Sequence, residues 1–171
     1  MRSCGIQAGA AAASVKKANT TRLDCALIVS DRPASVAGVF TTNRVFAAPV
    51  RYCREICARG RARAFLVNSG NANACTGESG YKDVLSIAAC AGALLDIPAD
   101  EICVSSTGVI GVPLPLDRLS GGINQCAASL SSEGSAAAAR AIMTTDTRPK
   151  EMALEIALSG GTVRLGGIAK G

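Results

Sequence analysis

Ile102-Cys103-Val104-Ser105-Ser106-Thr107-Gly108-Val109-Ile110-Gly111-Val112-Pro113 carries an apolar run into a turn, and a helical pattern follows it. The spacing predicts a strand over 102–106 and helices over 115–131 and 135–143, the first weakened by Gly121-Gly122. A strand handing over to a helix through a tight turn is a unit of layered α/β architecture. The turn also carries chemistry. A hydroxyl followed by Gly can aim an O–H and a backbone N–H at one point, the donor set an oxyanion hole needs. The same residue types also serve a plain turn, with Gly supplying unusual backbone angles and Ser or Thr satisfying loose backbone groups.

Outward from this segment, Cys25–Ser30 reads as a buried strand closed by Asp31-Arg32-Pro33, and 35–42 as a second strand, so that 25–42 forms a hairpin. Pro49 opens a helix over 49–59. Arg63–Asn68 is a further strand, running into the loop Asn68-Ser69-Gly70-Asn71-Ala72-Asn73, whose residues tolerate left-handed angles. Thr76 caps a helix over 77–95 with Val84, Ile87, Ala88, Ala91, Leu94 and Leu95 on its apolar face. Residues 151–158 and 162–168 alternate around Ser159-Gly160-Gly161, a hairpin signal. Strands and helices interleave, which gives an α/β (α+β layered) fold of mixed sheets with helices. Two hairpins argue against a fully parallel sheet.

The 171 residues are 49% hydrophobic and 18% charged, a globular balance, and suffice for one domain. Aromatics are only 3%, so the core is built from small aliphatics and Cys, and base stacking on single-stranded nucleic acid is excluded. The net charge is +5, with Arg51, Arg54, Arg59, Arg61 and Arg63 clustered; such a cluster either meets an anion or forms a solvated face. The eight Cys, from Cys4 to Cys126, form no C-x-x-C; Cys25, Cys90 and Cys103 lie inside apolar runs as small buried hydrophobes, and reduced thiols in a cytosol-like compartment fit best. Arg2 precedes an Ala-rich run that ends at Lys16-Lys17 without the apolar block of a secretory signal. No apolar stretch reaches the ~18 residues of a membrane span. With no His in the chain, no Ser-His-Asp or Cys-His device can be assembled within it, and a metal site would need Cys-only ligands at unusual spacing. Nucleotide-binding glycine signatures are absent too.

Five segments, in order and spacing, resemble one family: Ala37–Arg44, Val67–Gly77, Ser106–Gly111, Ile142–Thr147 and Gly166–Gly171. The chain is similar over residues 5–171 to the α chain of bifunctional glutamate N-acetyltransferase, or ornithine acetyltransferase, of arginine biosynthesis. The resemblance implies one α-chain domain over 1–171, completed by a β chain cut from the same precursor, and an α2β2 or higher assembly. It implies transfer of acetyl from N-acetylornithine to glutamate, with acetyl-CoA a co-substrate in some members and no cofactor. The nucleophile would be the Thr that begins the β chain, its α-amine acting as base, so that no His is needed. By motif position, Thr107 and Gly108 would be the oxyanion donors, and Thr144 and Lys170 would contact substrate, Lys170 as a point charge toward a carboxylate. The Asn68–Thr76 loop would line the site or brace it, bracing being favoured; Asp146 could orient a neighbour, a role that nothing in the sequence supports; and Arg44 is read as a surface or interface ion pair. Partners of nucleic-acid or membrane type are not expected. The compartment would be the bacterial cytoplasm, or the mitochondrial matrix in a eukaryote.

Two other readings share these residues. Another self-processing, N-terminal-nucleophile hydrolase of similar fold, such as the aminopeptidase-like relatives, would also suit the Thr-Gly donors and the absent His. A non-catalytic chain that binds an amino acid would not need the nucleophile.

Overall fold

The computed structural model describes residues 5–16 and 21–170; Arg2, Cys4, Lys17 and Gly171, named above, lie outside them. The main sheet is mixed and four-stranded, in the order β1 (Ile6–Ala11), β2 (Cys25–Ser35), β3 (Arg61–Asn71), β4 (Ile102–Val109). The first two pairings are antiparallel and β3–β4 is parallel. A parallel pair needs a long crossover, and α2 (Gly77–Leu95) supplies it. Helices α1 (Ala48–Arg59), α2 and α3 (Leu116–Ala128) build the larger core, around Ile56, Leu66, Val84, Ile87, Ile102, Leu119 and Ile123. Helix α4 (Ser135–Ala141) packs with Ala8, Ala26 and Val67 in a smaller cluster. The layered α/β fold of mixed sheets with helices is therefore as the sequence implies.

The 25–42 hairpin does not form. β2 runs through Asp31-Arg32-Pro33 to Ser35, with an irregularity between Val29 and Ala34 that accommodates a proline lacking an N–H. Both edges of β2 are taken, by β1 and β3, so 36–42 has no strand to pair with. That segment instead lies over α1, where the Arg54 guanidinium donates to the Thr41 carbonyl at 2.6 Å and stacks 4.7 Å from the Phe46 ring centre.

Strand β1 gives little sequence signal, because Ala and Gly rarely mark strands. Its small residues serve close packing: a Cβ on Gly9 would sit 2.1 Å from the Cys126 carbonyl oxygen in α3. The second predicted hairpin is present as β5 (Lys150–Leu158) and β6 (Gly161–Ala169). It carries Met152, Leu154, Ile156, Leu158, Val163 and Leu165 exposed.

Helix α2 keeps its predicted bounds, but Thr76 does not cap it through its side chain. The Thr76 hydroxyl donates to Asn73 Oδ1 at 2.7 Å, a competing local bond of the kind Thr makes outside helices. Leu94 is exposed rather than on the buried face. Helix α3 continues unbroken through Gly121-Gly122. The arginine cluster is a solvated face tied to its own chain: Arg51 pairs with Glu78, Arg59 with Asp100 and Arg61 with Glu101, while Arg63 reaches the Ser30 carbonyl. Cys25 and Cys103 are buried, Cys90 half-buried. Among the described residues no helix is long and apolar enough to cross a membrane, and no group of three or more His, Cys, Asp or Glu could hold a metal.

Candidate functional site

The parallel β3–β4 pair sets the site. In it Ser69 stands opposite Thr107 and Gly70 opposite Gly108, after which the register slips and Asn71 meets both Thr107 and Val109. The slip brings two backbones unusually close. Gly70 and Gly108 have φ of 103° and 138°, angles that L side chains rarely adopt.

A polar lattice holds this end of the sheet. Asn68, Ser69, Asn71 and Asn73 are buried polar residues. The Asn68 amide donates to the Asn71 carbonyl at 2.9 Å, and its Oδ1 accepts from the Ser106 hydroxyl at 2.6 Å. Asn71 donates to the Val112 and Pro113 carbonyls, tying the turn after β4 to β3. Asn73 reaches the Gly80 carbonyl in α2 at 2.8 Å. The Asn71, Val112, Pro113 and Gly80 carbonyls thus each gain a side-chain donor, an arrangement that braces this end of the sheet. Asn73 takes a left-handed angle, as an Asn there allows, and so does Cys75 beyond it, while Asn68–Asn71 continues β3 instead of forming the expected loop.

Beside this lattice lies a cleft of about 380 Å³ lined by Lys16, Arg22, Asp24, Ser69, Gly70, Gly108, Val109, Thr144 and Thr145. A second, adjoining one of about 420 Å³ shares Arg22 and Thr144 and adds Arg140 and Asp146. Gly108 and Thr144, from distant parts of the chain, therefore converge on one cavity. Thr107 borders it rather than lining it; its register partner Ser69 does line it, and donates from its hydroxyl to the Ala141 carbonyl at 2.7 Å.

Lys170 does not line the cleft. Its ammonium is 3.4 Å from Asp146 Oδ2, the same oxygen that accepts the Thr144 N–H at 3.0 Å. Lys150 Nζ sits 2.7 Å from the other oxygen. Arg22 Nη2 donates to the Met143 and Thr144 carbonyls at 2.6 and 2.9 Å. Arg44 is exposed.

Sequence reasoning passed over Lys16, Arg22, Asp24 and Ser69 as lining residues. Asp24 shows how they arrive. Its carboxylate accepts the N–H groups of Ala13 and Val15 at 2.6 and 2.7 Å, folding the segment after β1 back so that Lys16 meets Gly70. Only the polar interruption Arg22-Leu23-Asp24 before an apolar strand hinted at this. The cleft and its rim are cation-rich, with Lys16, Arg22 and Arg140 beside the Lys150–Asp146–Lys170 cluster. Such an array favours small carboxylates.

Comparison with known proteins points to one family. The family model of the ArgJ family matches residues 7–171. The chain is 50% identical over 167 residues to the arginine biosynthesis bifunctional protein ArgJ of Symbiobacterium thermophilum, covering 98% of this chain and 42% of that protein. It is 50% identical over 171 residues to the protein of that name from Thermosynechococcus vestitus, covering 99% and 39%. The chain thus spans about two fifths of the length of these curated relatives, 42% and 39%. The crystal structure of ArgJ from Bacillus halodurans superposes with a TM-score of 0.89 at 41% identity, over 98% of this chain and 86% of that one. Ornithine acetyltransferase from Mycobacterium tuberculosis, solved in complex with ornithine, gives 0.90 at 40% identity, over 98% and 88%. With the family model, the relatives and the superposed structures in agreement over nearly its whole length, the chain belongs to the ArgJ family.

Proposed function

We propose that this chain is the α part of an acetyltransferase of arginine biosynthesis, which moves the acetyl group of N-acetylornithine to glutamate. The observation that carries the reading is the convergence of Gly108 and Thr144 on one cation-rich cleft in a chain of this family. The relative solved with ornithine supports a substrate of this class.

The chemistry follows from what the chain holds. With no His available, the base is the α-amine of a Thr freed by self-cleavage at the start of a β chain. That Thr attacks the acetyl carbonyl, and the oxygen becomes an oxyanion. The Thr107 hydroxyl and the Gly108 N–H donate to it, and the slipped β3–β4 register holds both donors in place before reaction. Collapse expels ornithine and leaves an acetyl-Thr ester. The glutamate amine attacks that ester through a second oxyanion at the same donors, which gives ping-pong kinetics. Thr144 and Lys170 orient the substrate, Lys170 through a carboxylate. Acetyl-CoA serves as an alternative donor, and the covalent route calls on no cofactor. The exposed apolar side chains of β5–β6 suit burial against the β chain, within an α2β2 or larger assembly, in the cytoplasm or mitochondrial matrix.

Expression of the complete coding sequence, followed by intact mass and an ornithine-release assay, tests the reading. Two chains, a new N-terminal Thr and glutamate-dependent release are expected. Hydrolysis independent of glutamate would instead favour a hydrolase of similar fold, and an uncleaved product without release would overturn the proposal.

A further inference from the structure

We infer that Asp146 is a positioning residue of this site, whose one carboxylate holds the Thr144 backbone and the Lys170 ammonium in a fixed arrangement. The inference rests on the acetyl-transfer reading above and adds to it a residue that touches no substrate.

Asp146 has a side chain only 1% exposed, and its oxygens meet three different parts of the chain. Oδ2 accepts the Thr144 N–H at 3.0 Å and faces Lys170 Nζ at 3.4 Å, and Oδ1 takes Lys150 Nζ at 2.7 Å. A buried carboxylate is costly unless paired and hydrogen-bonded. Here the Thr144 N–H and the ammonium groups of Lys150 and Lys170 contribute that compensation.

The consequences differ for the two residues held. Thr144 is gripped at both ends, its N–H by Asp146 and its carbonyl by Arg22 at 2.9 Å. Its position beside the cleft is then set by backbone bonds. Lys170 is a point charge on a flexible four-carbon stem. It follows the end of β6, where Lys150 stands in register with Ala169. Two ammonium groups thus share one carboxylate. Without that charge they repel, and Lys170, near the end of β6, swings away from its place beside Thr144 and Asp146. The carboxylate leaves Lys170 N–H groups available for a substrate carboxylate, since an ammonium has three.

The test uses the self-cleaved two-chain enzyme from the complete coding sequence, with active sites counted by acetyl-enzyme mass. Asp146→Asn is expected to raise KM for N-acetylornithine about tenfold or more, the loss of a charge-assisted contact, with kcat per active site changed far less. Asp146→Glu should recover part of that loss. Adding Lys150→Met to Asp146→Asn should also lower KM again, because it removes the repulsion that displaces Lys170; a residue needed only for folding would show no such rescue. An active wild type whose Asp146→Asn variant keeps its KM within twofold overturns this inference alone. So does a variant that loses active sites with KM unchanged. A wild type that releases no ornithine overturns the acetyl-transfer reading, and this inference with it.

Discussion

Gly108 and Gly70 face each other so closely that a Cβ on Gly108 would lie 2.3 Å from the Gly70 carbonyl carbon. The contact is backbone on backbone, so no side chain can give way. Gly108 also has a φ of 138°, where any L residue is strained. Gly108→Ala is therefore expected to destabilise the fold by about 2 kcal/mol or more, combining steric overlap with the strain of a disfavoured backbone angle. Thermal unfolding of the purified variant checks it. A melting temperature equal to wild type would show that the slipped register is not fixed by this contact.

Thr107→Ala removes a hydroxyl without disturbing that approach. If Thr107 donates to the oxyanion, kcat falls about 100- to 1000-fold while KM moves little, the signature of a bond made in the transition state. Thr107→Ser keeps the hydroxyl and should retain most of the activity. Glutamate-dependent ornithine release measures both variants, with thermal unfolding as the control. Equal rates for Ala and Ser would remove Thr107 from the proposed oxyanion hole.

The site was legible in sequence where its residues sit in short contiguous runs. Thr107-Gly108 announces itself as a hydroxyl and a glycine at the end of an apolar strand, whereas the run Asn68–Asn73, read as a loop, continues β3 as far as Asn71, with left-handed angles only at Gly70 and Asn73. Helices α1 and α2 and the β5–β6 hairpin showed through apolar periodicity and turn residues. What stayed hidden depends on pairing between distant segments. Nothing local tells that the alanine-rich Ile6–Ala11 is a strand occupying the edge of β2, and that occupancy is what denied 36–42 a partner. Asp24 and Asp146 were equally mute. Their roles come from N–H groups and ammoniums that only the folded chain delivers.

Asn71 offers a stability test of the bracing lattice. It is buried, and its amide links β3 to the Val112 and Pro113 carbonyls. Its Oδ1 also accepts the Asn73 N–H at 2.8 Å. Asn71→Ala strands the buried Asn73 N–H, at roughly 1–3 kcal/mol, and frees the Val112 and Pro113 carbonyls of the exposed turn. Urea unfolding should show a lower midpoint with the slope unchanged. Asn71→Asp separates bonding from packing: it keeps the acceptor for Asn73 but sets a carboxylate against two carbonyls, so it should be no better than Ala. A variant as stable as wild type would mean that water replaces the amide without cost.

Tyr52 makes the alkaline limb of stability predictable. It is 5% exposed, and its hydroxyl donates to the Ala99 carbonyl at 2.6 Å, joining α1 to the turn before β4. Burial, reinforced by nearby Cys53 and Asp100, pushes the hydroxyl pKa up to about 12. A folded-state pKa above the ordinary value near ~10 means that the unfolded chain loses this proton first. The contribution is therefore complete below pH ~10 and is lost as the pH climbs toward about 12. Tyr52→Phe should cost about 1 kcal/mol at pH 7, the worth of one hydrogen bond. Its deficit should then shrink between pH ~10 and ~12, because Phe has no proton to lose. Other groups that titrate there are common to both proteins and cancel in the difference. Chemical unfolding of wild type and variant at pH 7, 10 and 11.5 measures it, and a deficit constant across that range would show that the hydroxyl titrates alike in the folded and unfolded chains.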